Sequence, residues 1–305
     1  MNMENIGRRI CALRKQKDMT QVELADKLGV TYQAVSSWER GNSMPDIAKL
    51  PDISQVLAVS IDELLDDAKA AGLVKHVLTG EPGAMPEMDV WVDVAPILKP
   101  SQLESVAGKL NADDMKAIVE MACHLSSETL KDIILRGEGI DGQTIAAIAC
   151  YMDREDLRDV ALHCPNLTEH TIISIACYMD SEDLKDIALH CPHLSGKTIA
   201  NIACHMASED LKTVVLHCPN MDSGAIANIA CHMESEDLKE VLLHSHFDVA
   251  TIANVACHME SEDLAEIAAK LVESHGLKAL SSSGIVVHMN EEDVAAAIAK
   301  AMKRQ

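Results

Sequence analysis

The feature that most restricts this chain is a tandem repeat. Beyond about residue 88 one pattern recurs, I-A-N-I-A-C-H-M-x-S-E-D-L-K-x-V-x-L-H-C-P-N-L. With the cysteine after I-A as phase mark, equivalent positions fall at 96, 123, 150, 177, 204, 231, 257 and 287. The intervals are 27 residues five times, then 26, then 30. About eight copies are predicted, with Pro96 and Val287 marking atypical first and last units, as capping repeats of an array should be.

Each copy encodes two helices. Ile199, Ile202, Ala203 and Met206 fall at i, i+3, i+4 and i+7, one apolar stripe. Ser208-Glu209-Asp210 reads as an N-cap followed by first-turn acids. Leu211, Val214, Val215 and Cys218 form a second stripe, which Pro219 ends. Two such short helices cannot bury both stripes alone, so neighbours must stack. The expected body is a right-handed α-solenoid similar to short HEAT-like repeats, and the chain as a whole is expected to be all-α. With 48% apolar residues but only 2% aromatic, its core must be aliphatic.

The first 65 residues read differently. Ile6, Ile10 and Leu13 make an apolar stripe, with Arg8, Arg9, Arg14, Lys15 and Lys17 assigned to the polar side. Thr20-Gln21-Val22-Glu23 is a capping-box pattern, followed by Val22, Leu24, Ala25 and Leu28 on the apolar face. Gly29 then ends that helix in the left-handed region. Thr31 caps a helix from Tyr32 to Arg40, which Gly41 closes. Two short helices across a tight glycine turn predict a helix-turn-helix.

On these residues the segment resembles the lambda-repressor-like, or Xre/Cro, helix-turn-helix regulators. The resemblance rests on M-T-Q-x-E-L-A-x-K-L-G-V-T, then Q-A-V-S-x-W-E-R-G, then P-D-I and V-S-I-D-E-L-L. It implies a five-helix domain whose third helix, from Thr31 to Arg40, enters the DNA major groove. By the same resemblance Gln33 stands where a base edge is read, its amide suited to adenine N6 and N7. Tyr32, Ser36 and Ser37 lie beside it. Gln21 matches a phosphate-gripping glutamine, and Arg40 and Asn42 match backbone contacts just after the reading helix. Ser37 departs from the lysine of many relatives, which implies lower affinity and weaker salt dependence. Val35 and Trp38 read as core.

Charge separates the two parts. The chain carries 26 Lys and Arg against 48 Asp and Glu, a net charge of −22. Residues 1–60 hold 8 basic and 7 acidic residues, whereas residues 61–305 hold 18 and 41. A near-neutral head thus precedes an acidic body, which assigns DNA contact to the head. So few aromatics argue against base-stacking platforms for single strands or RNA. No apolar run is long enough for a membrane span and the N-terminus is polar, so a cytoplasmic, nucleoid-associated chain with reduced thiols is expected. The domain reading is 1–68 for the DNA-binding head, 69–88 for a linker around TGEPGAMPEMD, and 89–305 for the repeats.

Cysteine and histidine recur in register. Cys150, Cys177, Cys204, Cys231 and Cys257 close the first helix of a repeat, and His163-Cys164, His190-Cys191 and His217-Cys218 close the second. A metal reading is disfavoured by spacing: equivalent residues on stacked helices lie about 8–10 Å apart, too far for the ligand sphere of one zinc. Small-residue packing is the expectation for these cysteines, with Cys218 on a core stripe and Cys204 on a helix flank. Asn201 with His205, Asn228 with His232, and Asn254 with His258 form a polar stripe that could line a ligand face. Asp153-Arg154-Glu155-Asp156, Glu182-Asp183, Glu209-Asp210, Glu236-Asp237 and Glu262-Asp263 follow one edge, read as first-turn helix acids or as a docking edge for a basic partner.

No phosphate loop, dinucleotide fingerprint, nucleophile elbow or zinc-protease motif is present. No catalytic residues, metal or cofactor are expected. The expected function is a regulator, of repressor type, that binds double-stranded DNA as a homodimer. A peptide or protein effector would sit in the solenoid groove, and no membrane is involved. The rival readings are a DNA-tethered scaffold and a metal- or thiol-responsive regulator.

Overall fold

The computed structural model describes residues 3–79, 87–137, 139–164, 167–191, 194–218, 221–244 and 247–302, and among these every regular element is helical. The chain divides into two units, Met1–Ile140 and Asp141–Gln305. Among the described residues no helix is long and apolar enough to cross a membrane.

The first unit opens with α1 (Met3–Gln16), α2 (Gln21–Leu28) and α3 (Tyr32–Glu39). A short 3₁₀ turn follows, then α4 (Leu50–Leu57) and α5 (Ile61–Leu65). Local chemistry sets these boundaries. Thr20 accepts the Glu23 N–H at 3.2 Å while Glu23 accepts the Thr20 N–H at 2.7 Å, a complete capping box. Gly29 ends α2 at φ 63°, and Gly41 stands just beyond α3 at φ 71°. Ile6, Ile10, Leu24, Leu28, Val35 and Trp38 are all buried, joined by Ile47, Leu50, Ile53 and Leu57. Val22, read as part of the apolar face, is instead 53% exposed. Gly7 sits where α1 meets α3: a Cβ there would fall 2.1 Å from the Trp38 carbonyl oxygen.

Part of the segment read as a linker is ordered helix. α6 (Ala68–Thr79) buries Ala70, Ala71, Leu73 and Val74 against α5 and Met88–Val94, and Lys75 pairs with Asp62 of α5 at 2.5 Å. The loosened pattern hid four buried apolar positions. Residues 80–86, the core of the expected hinge, lie outside the described residues.

The second unit is built from the repeat. Its A helices are Gly142–Ile148, Glu169–Ile175, Gly196–Ile202, Ser223–Ile229 and Val249–Val255. Each ends in a three-residue 3₁₀ turn, such as Ala203–His205. The B helices are Arg154–His163, Ser181–His190, Ser208–His217, Ser235–His244 and Ser261–His275, followed by Leu277–Ser283 and Glu291–Met302. Both stripes hold: Ile199, Ile202, Ala203 and Met206 are buried, as are Leu211, Val214 and Val215. Pro219 lies outside the described residues.

Two readings of the repeat need correction. The first concerns the serine. The N-cap of Ser208–His217 is Ala207, not Ser208, and Ser208 occupies the first helical position. There its Oγ donates to Asp237 of the next repeat at 2.5 Å and accepts the Glu234 N–H at 2.7 Å. Ser235 does the same with Asp263 and Glu260, and Ser261 with Asp293 and Asn290. The other carboxylate oxygen takes a lysine: Lys185 on Asp210 at 2.7 Å, Lys212 on Asp237 at 2.7 Å, Lys239 on Asp263 at 2.8 Å. The aspartates of the acidic edge are therefore struts between repeats. The glutamates beside them, such as Glu209 and Glu236, stay exposed.

The second correction concerns the thiols. Cys123, Cys150, Cys177, Cys204, Cys231 and Cys257 are all exposed, so Cys204 packs no helix flank. Even at α-helical spacing Cys204 stands far round the helix from the Ile199, Ile202, Ala203 and Met206 stripe, so its thiol faces solvent. Its Sγ lies 3.9 Å from the Asn201 carbonyl oxygen, on its own helix. Packing is reserved for the B-helix ends. Cys191 is buried with Sγ 3.9 Å from the Ala161 carbonyl, and Cys218 is half-buried with Sγ 3.3 Å from that of Ala188. Burial pushes both of these thiols up from their ordinary range.

Candidate nucleic-acid interface

The candidate interface is the exposed edge of α3 with the residues at either end. Thr31 holds the start of the helix, its Oγ1 accepting the Ala34 N–H at 3.2 Å. Tyr32 is 53% exposed, Gln33 is exposed, and Ser36 and Ser37 are half-buried. Arg40 and Asn42 are exposed immediately beyond the helix. The spacing puts Tyr32, Gln33 and Ser36 on the face opposite Val35 and Trp38, which are buried. The Arg40 guanidinium donates to Ser36 Oγ, and Ser43 Oγ donates to Ser37 Oγ at 2.8 Å.

Beneath that edge lies a charged network that sequence reasoning missed. Arg14, assigned to the polar side of α1, is buried. It grips Glu39 with two hydrogen bonds, Nε to Oε1 at 2.5 Å and Nη2 to Oε2 at 2.8 Å, and donates to the Met19 carbonyl at 2.5 Å. Gln21 Nε2 donates to the same Glu39 at 2.8 Å. Burial alone would raise the Glu39 carboxyl, but hydrogen bonds from Arg14 and Gln21 outweigh it and hold it below the ordinary carboxylate range. The network joins the end of α1, the start of α2 and the last turn of α3. Gln21, matched by resemblance to a phosphate contact, is thus also a strut that fixes the two helices of the motif. The signal for the pair was weak, one acid among eight helix residues with its partner 25 positions away.

The polar stripe of the repeats lies in the other unit. Asn201, His205, Asn228, His232, Asn254 and His258 are all exposed at the ends of A helices, and no hydrogen bond holds their side chains among the described residues. Among those residues no three His, Cys, Asp or Glu side chains converge as a metal group.

Comparison with known proteins bears on the head. The family described as Helix-turn-helix matches residues 12–64. An uncharacterized HTH-type transcriptional regulator of Bacillus subtilis, YqaE, is 50% identical over 52 residues, 17% of this chain and 45% of that protein. The HTH-type transcriptional activator BcrR of Enterococcus faecalis is 45% identical over 53 residues, 17% of this chain and 26% of its own length. The chain therefore spans less than half of these two relatives. Among solved structures, the competence regulator ComR from Streptococcus vestibularis aligns over 100% of this chain and 98% of its own, but at 13% identity and a TM-score of 0.21, too loose to argue from. A second Bacillus subtilis regulator, YazB, is 42% identical over 69 residues, 23% of this chain and 100% of that protein, and on this match, with α1 to α5 as its structural counterpart, the chain belongs to the HTH-type transcriptional regulators.

Proposed function

We propose that the protein is a sequence-specific regulator of transcription, of repressor type, that binds double-stranded DNA through residues 1–68 and carries a repeat body that senses or docks an effector. The observation that carries this reading is the exposed edge of α3, with Gln33 on a helix whose interior is fixed by the Arg14–Glu39–Gln21 network and Arg40 just beyond its end. A rigid helix presents side chains to base edges with little ordering cost. Gln33 reads a base, Tyr32, Ser36 and Ser37 line the groove wall, and Thr31, Arg40, Asn42 and Gln21 meet phosphates. The near-neutral head supplies modest electrostatic affinity, and the acidic body stays off the duplex.

One head reads one half-site, so the binding unit is a homodimer. The exposed Asn201–His205, Asn228–His232 and Asn254–His258 row is the effector face, suited by its free amides to the backbone of a peptide or protein. The deciding experiment is selection of duplex DNA by the full chain, followed by gel shift. A single enriched palindromic site bound at raised salt supports the reading. Salt-labile binding without sequence preference would replace it with a DNA-tethered scaffold.

A further inference from the structure

The repeat breaks its own rules at one place. Four successive B helices have ten residues, but Ser261–His275 has 15. The interval between phase marks shortens there from 27 to 26. The residue before the A-helix N-cap, Leu167, Leu194 and Met221 in earlier copies, becomes Phe247, the chain's single phenylalanine. In a periodic protein, departures that gather at one point mark a site with a separate task. These three gather around one cavity of about 430 Å³.

Its apolar lining is Leu242, Phe247, Val249, Ile252, Ile267 and Leu271. Its polar groups are Lys270, Ser274, His275 and Asp248. Ser274 and His275 stand on the extra turn of the long helix, their Oγ and Nδ1 2.7 Å apart. Asp248 caps the A helix, taking the Thr251 N–H at 2.8 Å and its hydroxyl at 2.6 Å. Lys270 differs from the lysines of the preceding repeats. Lys185, Lys212 and Lys239 each end on an aspartate, whereas the Lys270 ammonium donates to the Leu243 carbonyl, a neutral acceptor. No carboxylate among the described residues pairs with its charge, and as an exposed ammonium with one neutral acceptor it keeps donors open to solvent or a ligand.

We infer that this cavity binds a small monocarboxylate with an apolar tail. The tail lies on Phe247, Ile252, Ile267 and Leu271, and the carboxylate meets the Lys270 ammonium with Ser274 and His275 at its side. The volume is in the range of small-molecule sites, which pair an apolar lining with a few placed polar groups. A carboxylate supplies the counter-charge that Lys270 lacks, and a charge-assisted hydrogen bond is about twice as strong as a neutral one. The inference adds a ligand class to the sensing body proposed above, but the binding itself is read without DNA. Failure of operator binding would leave it standing.

The test is calorimetry of the full chain with decanoate, decanol and decylamine, each below its aggregation concentration. Decanoate should bind at least roughly tenfold more tightly than decanol, a difference of about 1.4 kcal/mol, and decylamine should not bind. Lys270→Met should bring decanoate down to the level of decanol while leaving the ligand-free melting temperature in place. Val249→Trp, which puts an indole in place of an isopropyl group on the lining, should remove binding of both. Equal affinity for decanoate and decanol, a preference that survives Lys270→Met, or binding unchanged in Val249→Trp overturns the inference. So does the absence of binding by all three probes to the parent chain.

Discussion

Ser208 and Asp237 are 29 positions apart in sequence, yet Ser208 Oγ donates to the Asp237 carboxylate at 2.5 Å and also accepts the Glu234 N–H at 2.7 Å. One hydroxyl therefore joins two repeats through both of its hydrogen-bonding functions. Ser208→Ala should destabilise the protein by about 1–3 kcal/mol, because it leaves a backbone N–H and a partly buried carboxylate short of a partner. Glu209→Ala, one position on but exposed, should stay within about 0.5 kcal/mol. Urea unfolding followed by circular dichroism compares the two, and equal effects would remove the strut from the account.

The same struts set an acid limit. Burial would raise the carboxyls of Asp210, Asp237 and Asp263, but hydrogen bonds from Lys185, Lys212 and Lys239 and from the serines outweigh it, so each lies below the ordinary aspartate range. A carboxyl depressed in the folded state contributes stability that is complete above its unfolded pKa of about 3.9 and is lost as pH falls through the lower folded value. Melting temperature should thus hold steady down to about pH 5 and fall steeply below about pH 4. Asp237→Asn should be weaker at neutral pH and show a smaller acid loss.

Arg14 and Glu39 form a buried pair, and removing one partner strands the other. Arg14→Met should cost about 3–5 kcal/mol in the head, whereas Arg14→Met with Glu39→Leu should recover much of it. Trp38, buried beside this network, reports the transition by its fluorescence. A single variant as stable as the parent would show the pair to be dispensable.

On DNA the two ends of α3 should behave differently. Gln33→Ala should cost about 1–3 kcal/mol on the selected site and relax preference at one base pair. Arg40→Ala should weaken binding to all sequences alike and flatten the salt slope by about one unit. Uniform loss in both variants would remove Gln33 as a base reader.

The thiols should fall into two kinetic classes. Cys123, Cys150, Cys177, Cys204, Cys231 and Cys257 are exposed and should react promptly with a disulfide reagent in the native state. Cys191, buried and with its thiol pushed up by burial, should react only on unfolding. Mass spectrometry of the labelled peptides assigns each site. Protection of Cys204 would restore its packing role.

Features encoded locally are legible in the sequence. The Thr20–Glu23 capping box, the left-handed Gly29 and the burial of Val35 and Trp38 each depend on residues within a turn or two of one another. So do the two apolar stripes of the repeat. What escaped depends on distant partners or on where a residue stands round its helix. Arg14 reads as a solvent-side cation until Glu39, in another helix, is brought onto it. Ser208 reads as an N-cap because serine favours that place, but the N-cap is Ala207 and Ser208 opens the helix, where its hydroxyl serves the next repeat. Cys204 lies on the far side of its helix from the apolar stripe, a position the flank reading passed over. Within 69–88 the glycines and prolines interrupt the pattern, while Ala70, Ala71, Leu73 and Val74 still supply the buried face of a helix.

The serine struts also give the second unit a polarity. Each takes the N-cap amide of the corresponding helix one repeat on, so the starts of Ser208–His217, Ser235–His244, Ser261–His275 and Glu291–Met302 are completed by the repeat before. Shortening the unit from its C-terminal side leaves the serine bond at each remaining one of these helix starts in place. Shortening it from the other side uncovers one N–H and one aspartate at the new front. Two fragments with the same number of repeats need not be equally sound, and the one that keeps the leading serine is the better closed.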